Sequence, residues 1–224
     1  YISSTKNNLS NLNLNIKKNT SVAFIGESGA GKSTIIDIVL GLLKPNSGKI
    51  LIDGKDLQNN LNDWYKIIGF IPQDIYLDDD TIKNNIVFYD EKINERNFRK
   101  ALKLSLLEDV VKKLPNKEYT FIGNRGIRLS GGQIQRVGIA RCLYRNPKVI
   151  IMDEATSSLD YRSEKKIINS IKNIQHGRTL ITIAHRLTTI KNVNKIFYVK
   201  DGKVIDSGSY QQLKSKYKEF FNNL

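Results

Sequence analysis

Gly26-Glu27-Ser28-Gly29-Ala30-Gly31-Lys32-Ser33-Thr34 is the segment whose residue types and spacing most directly imply chemistry. Its pattern, G-x-x-x-x-G-K-S, suits a polyphosphate. Glycines let a backbone wrap closely around an anion, so that several N–H groups point inward. A helix beginning at the end of the loop adds partial positive charge. Lys32 can then bridge β- and γ-phosphates, and the Ser33 hydroxyl can ligate Mg²⁺. The flanks agree with this. Val22-Ala23-Phe24-Ile25 reads as a buried strand, and Ile35, Ile36, Ile38, Val39, Leu40, Leu42 and Leu43 as the wide apolar cover of a helix.

Further carboxylate, amide and imidazole groups stand at the ends of strand-like runs. Val149-Ile150-Ile151-Met152 leads into Asp153-Glu154. In open α/β sheets ligands lie beyond the carboxyl ends of the strands. Asp153 is therefore expected to face Mg²⁺ through a water, and Glu154 to stand where an attacking water must lie. Gln73 follows a strand and a proline; its side-chain carbonyl can ligate Mg²⁺ and its amide can hold water. His185 follows the apolar run 179–184 and is expected within reach of a γ-phosphate. Leu129-Ser130-Gly131-Gly132-Gln133 opens a helical run at 134–144, with Ser130 as a good N-cap and two glycines exposing the backbone. This is a second anion-binding helix start. One side of a nucleotide is already covered by the first, so the second is expected to meet the γ-phosphate held by another molecule.

The elements that must position these groups are readable in outline. Leu12, Leu14 and Ile16 alternate with polar residues as in a half-exposed strand. Lys49-Ile50-Leu51-Ile52 ends in an Asp53-Gly54 turn, and Ile67-Ile68-Gly69-Phe70-Ile71 is stopped by Pro72. From about Gln73 to Pro147 helical spacing dominates, as in 95–105 and 106–114. Strand character returns at 149–152, 179–184 and 196–200, and Asp201-Gly202 turns the chain into Val204-Ile205. Strands alternating with helices argue for a largely parallel sheet, with the helical stretch inserted into it.

Bulk properties set the limits. The chain has 224 residues, 40% hydrophobic and 26% charged, as in an ordinary soluble globular protein. No apolar run approaches the ~20 residues that cross a bilayer. A first residue other than Met leads us to expect a fragment of a longer polypeptide. The net charge of +14 is scattered, as in Lys17-Lys18, Lys112-Lys113 and Lys165-Lys166, which favours a compositional bias first, proximity to an anionic membrane surface second and a nucleic-acid site last. The single cysteine, Cys142, reads as a packing residue in a reducing compartment. Asp78-Asp79-Asp80 reads as a solvated loop, Trp64 as packing, and Lys214, Lys216 and Lys218 as an exposed helix face.

The order GESGAGKST, Gln73, LSGGQ, IIMDEATSSLD and His185 resembles the nucleotide-binding domain of an ABC transporter over essentially the whole chain. The resemblance implies an α/β fold: a P-loop NTPase (RecA-like) core with a mostly parallel sheet, an antiparallel β subdomain and an inserted helical subdomain. The core would span 1–73 and 148–224, the helical subdomain 74–147. It implies ATP and Mg²⁺, with Lys32, Gln73, Glu154 and His185 as catalytic residues and Ser33, Gln73 and Asp153 at the metal. Tyr1 would stack on adenine. Ser130, Gly131, Gly132 and Gln133 match the signature that binds the partner's ATP, and Asp160 lies in the loop that touches the opposite site.

Pro72-Gln73-Asp74, Gly123-Asn124-Arg125-Gly126 and Ala184-His185-Arg186-Leu187 look like the exporter branch. GESGAGKSTIIDIVLGL and the segment around LSGGQ look most like bacterial flippases for lipid-linked oligosaccharides. Asn124 stands where an acidic residue is common, and Ile134 where Arg, Lys or Gln is usual. The implied partners are a second nucleotide-binding domain in a head-to-tail dimer, expected to be a homodimer, and a transmembrane domain of the same or an associated polypeptide. No nucleic acid is expected. The implied place is the cytoplasmic face of the inner membrane. The rival reading is a soluble ABC ATPase acting on nucleic acid or ribosomes.

Overall fold

The computed structural model describes residues 9–88, 90–123, 129–154, 162–163, 166–167, 169, 177–184 and 186–222. The chain divides into two compact units, one of residues Tyr1–Ile68 with Thr179–Leu224 and one of Gly69–Arg178.

The first unit is built around β1 (Ser21–Ile25), the expected apolar run, which is buried along its whole length. β1 pairs in parallel with β6 (Thr179–Ile183) on one side and with β7 (Lys195–Lys200) on the other. Ser21 lies opposite Leu180, and Ile25 opposite Tyr198. Strands buried on both faces need continuous rather than alternating apolar sequence, which these have. β8 (Lys203–Gly208) returns antiparallel to β7. β2 (Leu51–Ile52) and β3 (Lys55–Asp56) form a separate antiparallel pair across the Asp53-Gly54 turn. The expected mostly parallel sheet with a small antiparallel part is therefore present.

Helix α1 (Lys32–Leu40) follows β1 and stops at the left-handed Gly41, so Leu42 and Leu43 lie beyond it and not on it as expected; α2 (Leu61–Ile67) follows a 3₁₀ turn at Leu57–Asn59. Later come α7 (Leu187–Ile190), α8 (Tyr210–Lys216) and α9 (Lys218–Asn222). Ala23, Ile25, Ile196 and Tyr198 from the sheet pack with Ile190, Leu213 and Phe221 from these three helices. On the other face Phe24 stacks on Phe197 with ring centroids 5.3 Å apart. Trp64 is buried in α2, and its indole N–H donates to the Val39 carbonyl at 2.9 Å, so it packs as expected.

The second unit holds β4 (Ile68–Ile71) beside β5 (Val149–Asp153), with the helices α3 (Ile82–Val87), α4 (Glu95–Leu104), α5 (Glu108–Lys112) and α6 (Gly131–Tyr144). α6 packs against both α3 and α4. Ile82, Ile86, Phe98, Leu102 and Val137 are fully enclosed or nearly so. No helix among the described residues is long and apolar enough to cross a membrane.

One sequence expectation differs. Residues 12, 14 and 16 are half-buried and 11, 13 and 15 exposed, as period-two alternation predicts, yet no strand is assigned there. Side-chain period reports which face is covered. A strand also needs a hydrogen-bonding neighbour, which the period does not encode.

Candidate functional site

The first group of site residues sits between β1 and α1. Gly26, Gly29 and Gly31 all have positive φ, at 152°, 78° and 102°. At Gly26 the reason is also steric, because a Cβ there would lie 2.1 Å from the Val199 carbonyl oxygen of β7. Gly31 is the N-cap of α1 in a left-handed conformation, and no side chain caps that helix. The helix's first N–H groups are thus offered to an external acceptor. Glu27, Ser28, Gly29 and Ser33 are exposed, Thr34 is half-buried, and Ala30 is enclosed.

Lys32 is only 6% exposed. Its ammonium donates to the carbonyls of Gly26 and Glu27, both at 2.8 Å. A cation is thereby fixed at the mouth of a ring of backbone donors. An anion placed there gains charge-assisted hydrogen bonds, roughly twice as strong as neutral ones. The arrangement suits a polyphosphate.

The second unit carries the remaining described candidates. Gln73 is exposed, two residues past β4. Asp153 closes the neighbouring strand β5, and Glu154 follows it with φ of 46°. A non-glycine residue in the left-handed region costs on the order of 1–2 kcal/mol, and such residues cluster at functional sites. Asp153 and Glu154 are both half-buried. Glu154 is therefore a carboxylate at a strand end on a left-handed backbone, a conformation it shares with eight other described non-glycine residues.

Ser130 is the N-cap of α6. Its hydroxyl accepts from the Gln133 N–H at 3.3 Å, and its own N–H donates to the Gln133 side-chain carbonyl at 2.9 Å. This reciprocal box fixes the start of a 14-residue helix and leaves Gly131 exposed at its tip. Ser130 and Gln133 are thus brought together by the cap, and Asp153 and Glu154 by succession. Tyr1, Asp160 and His185, together with the 124–126 part of the exporter-like loop, lie outside the described residues.

Sequence reasoning missed Arg141. On α6, its guanidinium donates to the Asn85 carbonyl at 2.7 Å, the Tyr76 carbonyl at 2.9 Å and the Asn85 side-chain oxygen at 3.2 Å, and lies over the Phe88 ring. Asn85 in turn donates to the carbonyls of Asp78 and Thr81, both at 3.0 Å. The helix that begins at the signature is thereby tied to the segment following Gln73. Nothing local in the sequence marks Arg141, because its partners are 56 and 65 residues away.

Residues 9–157 match the family model described as ABC transporter. The chain is 41% identical to a Rickettsia typhi protein with an export ATP-binding/permease name, over 96% of this chain and 38% of that protein. It is 39% identical to the ABC transporter ATM1 of Toxoplasma gondii, over 96% of this chain and 19% of that protein. Among solved structures, a bacterial Atm1-family ABC exporter with ATP bound matches with a TM-score of 0.94 and 35% identity, covering 99% of this chain and 40% of that one. The chain thus spans well under half the length of these relatives.

Proposed function

The chain belongs to the ABC transporter family as an exporter-type nucleotide-binding domain, and on that premise we propose that it is the ATP-hydrolysing motor of a membrane exporter or flippase. The observation that carries this reading is the loop at 26–34, with its left-handed glycines, uncapped helix start and buried Lys32 ammonium.

In this reading the loop N–H groups and Lys32 hold the β- and γ-phosphates, and Tyr1 stacks on adenine. Glu154 accepts a proton from the water that attacks the γ-phosphorus. The bond to the bridging oxygen breaks, and ADP and phosphate leave. His185 holds the γ-phosphate, and Gln73 orients the water. Such catalysis is mostly positioning and charge neutralisation. Mg²⁺ would be held by Ser33, Gln73 and Asp153. A hydroxyl, an amide carbonyl and one carboxylate are all hard oxygen donors, which is the set that Mg²⁺ accepts beside phosphates and water. When bound, it neutralises phosphate charge.

The signature residues Ser130, Gly131, Gly132 and Gln133, with Asp160, would close over the nucleotide of a second copy or a homologue, head to tail. The tip of α6 supports this: its cap takes up the Ser130 and Gln133 N–H groups, and those of Gly131 and Gly132, in the first turn, have no acceptor within the helix and suit an anion. We further propose residues 74–147 as the helical subdomain, and a transmembrane domain on the same or an associated polypeptide as the load. The cytoplasmic face of the inner membrane is the corresponding place, and a lipid-linked oligosaccharide or other lipid the cargo. The exporter names of the relatives favour this reading over a soluble ATPase acting on nucleic acid or ribosomes.

Glu154→Gln tests the assignment. Nucleotide binding is retained, while phosphate release falls by about 10²–10⁴-fold, the usual contribution of a general base. Unchanged steady-state hydrolysis overturns the role of Glu154.

A further inference from the structure

The hairpin of β7 and β8 touches the phosphate loop at two places. Val199 of β7 presents its carbonyl to Gly26, so closely that only a glycine fits. Three residues on, the turn Asp201-Gly202 reaches the far side of the loop, where the Gly202 N–H donates to the Ala30 carbonyl at 3.1 Å. The carbonyl of the same Gly202 accepts from the Ser10 N–H at 3.0 Å, tying in the segment that leads toward β1.

The hairpin is shaped for this. Its two-residue turn has positive φ at both Asp201 (48°) and Gly202 (71°), the turn whose twist matches paired strands. Tyr198 faces Asp206 but Val199 faces Val204, so Ile205 is an extra residue on β8. Such a bulge bends the ribbon locally, and here it lies beside the residue that abuts Gly26.

We propose that the Asp201-Gly202 turn is a positioning element for nucleotide binding, acting through the peptide between Ala30 and Gly31. That peptide is planar and trans, so its carbonyl and its N–H point in opposite directions. Pinning the Ala30 oxygen to Gly202 therefore aims the Gly31 N–H away from the hairpin, where it is available to a phosphate. Released from Gly202, this peptide rotates, and one donor of the cradle is lost before the anion arrives. Gly202 itself touches no ligand. The inference rests on the reading of residues 26–34 as a phosphate loop.

The chain contains its own control. Asp53-Gly54 forms the same kind of turn, with φ of 49° and 82°, between β2 and β3. A Cβ at Gly54 would meet nothing within 4 Å. Gly202→Val and Gly54→Val place the same β-branched strain in two equivalent turns, and only the first turn is bonded to the loop. The experiment measures the dissociation constant of a fluorescent ATP analogue with Mg²⁺, and the melting temperature, for both variants in the full-length protein.

Both substitutions are expected to lower the melting temperature. Only Gly202→Val is expected to weaken binding, by about fivefold, which is the equivalent of one hydrogen bond. Gly202→Asn, which tolerates the left-handed region, retains most of the affinity. Equal affinities in the two valine variants, whether both unchanged or both reduced, overturn the positioning role. Absence of binding by the unsubstituted protein overturns the phosphate-loop reading as well. If valine prevents folding, Gly202→Ala against Gly54→Ala gives the same comparison.

Discussion

Lys32 and Cys142 are both buried, and their surroundings suit them to opposite ends. The Lys32 ammonium is held between two loop carbonyls, so that charge is kept where an anion must come. The Cys142 thiol is enclosed beside Gly69, where an added Cβ would lie 2.5 Å from its sulfur. Desolvation pushes that thiol from 9.0 up to about 12, against a weaker opposite pull from Arg145 and Arg178. Only the thiolate is nucleophilic. Cys142 should therefore resist a maleimide at pH 8 in the folded protein and react at once in denaturant. Above pH 9.0 the unfolded thiol ionises while the folded one stays protonated, so Cys142 lowers stability as pH rises toward 12 and has no effect below pH 8. A denaturant midpoint that falls no faster above pH 9 in the protein than in Cys142→Ala would refute this.

Among the elements, α6 begins with a reciprocal cap and is anchored in its last turn by Arg141. Ser130→Ala removes one half of the cap and should cost about 1 kcal/mol. A chain of this size would lose roughly 2–4 °C in melting temperature, readable by calorimetry. No shift would mean that the box contributes nothing to the helix start. Elements of this kind were legible where one period ran unbroken. β1, β5, β6 and β7 are apolar runs ended by turns, and α4 and α6 fell close to their expected bounds. The stretch at 106–114 shortened to α5: Leu107 is its N-cap, and Pro115 disfavours helical geometry at Leu114. α2 has apolar residues at helical spacing, Leu61, Trp64, Tyr65 and Ile68, but it is seven residues long and runs directly into the strand-like stretch at 67–71, which hid it. The site was legible for a similar reason: residues 26–34 carry their geometry in closely spaced glycines, and 130–133 in a cap and two adjacent glycines. Arg141 and the Gly202 contact were not, because each depends on a partner that only the folded chain brings near.

At the scale of the whole molecule, charge is the dominant feature. Each chain carries +14. The proposed head-to-tail pair brings two such charges together, and their repulsion is screened over about 8 Å at 0.15 M salt. With ATP present, the Glu154→Gln protein should therefore self-associate more tightly as salt rises from about 50 to 300 mM. Sedimentation equilibrium measures this, and a dimer that weakens with salt would show that opposite charges, not like ones, dominate the interface.

The place of β1 between β6 and β7 also bears on biosynthesis. The Asn19 N–H just before β1 bonds to the Thr179 side chain, and the Ser21 N–H to Asn194, across 160 and 173 residues of sequence. At about 5–20 residues per second, a ribosome takes roughly 8–30 s to supply those neighbours. Throughout that interval the five apolar-rich residues that support the phosphate loop emerge without the strands that will cover them, and shielding by a chaperone is then most needed.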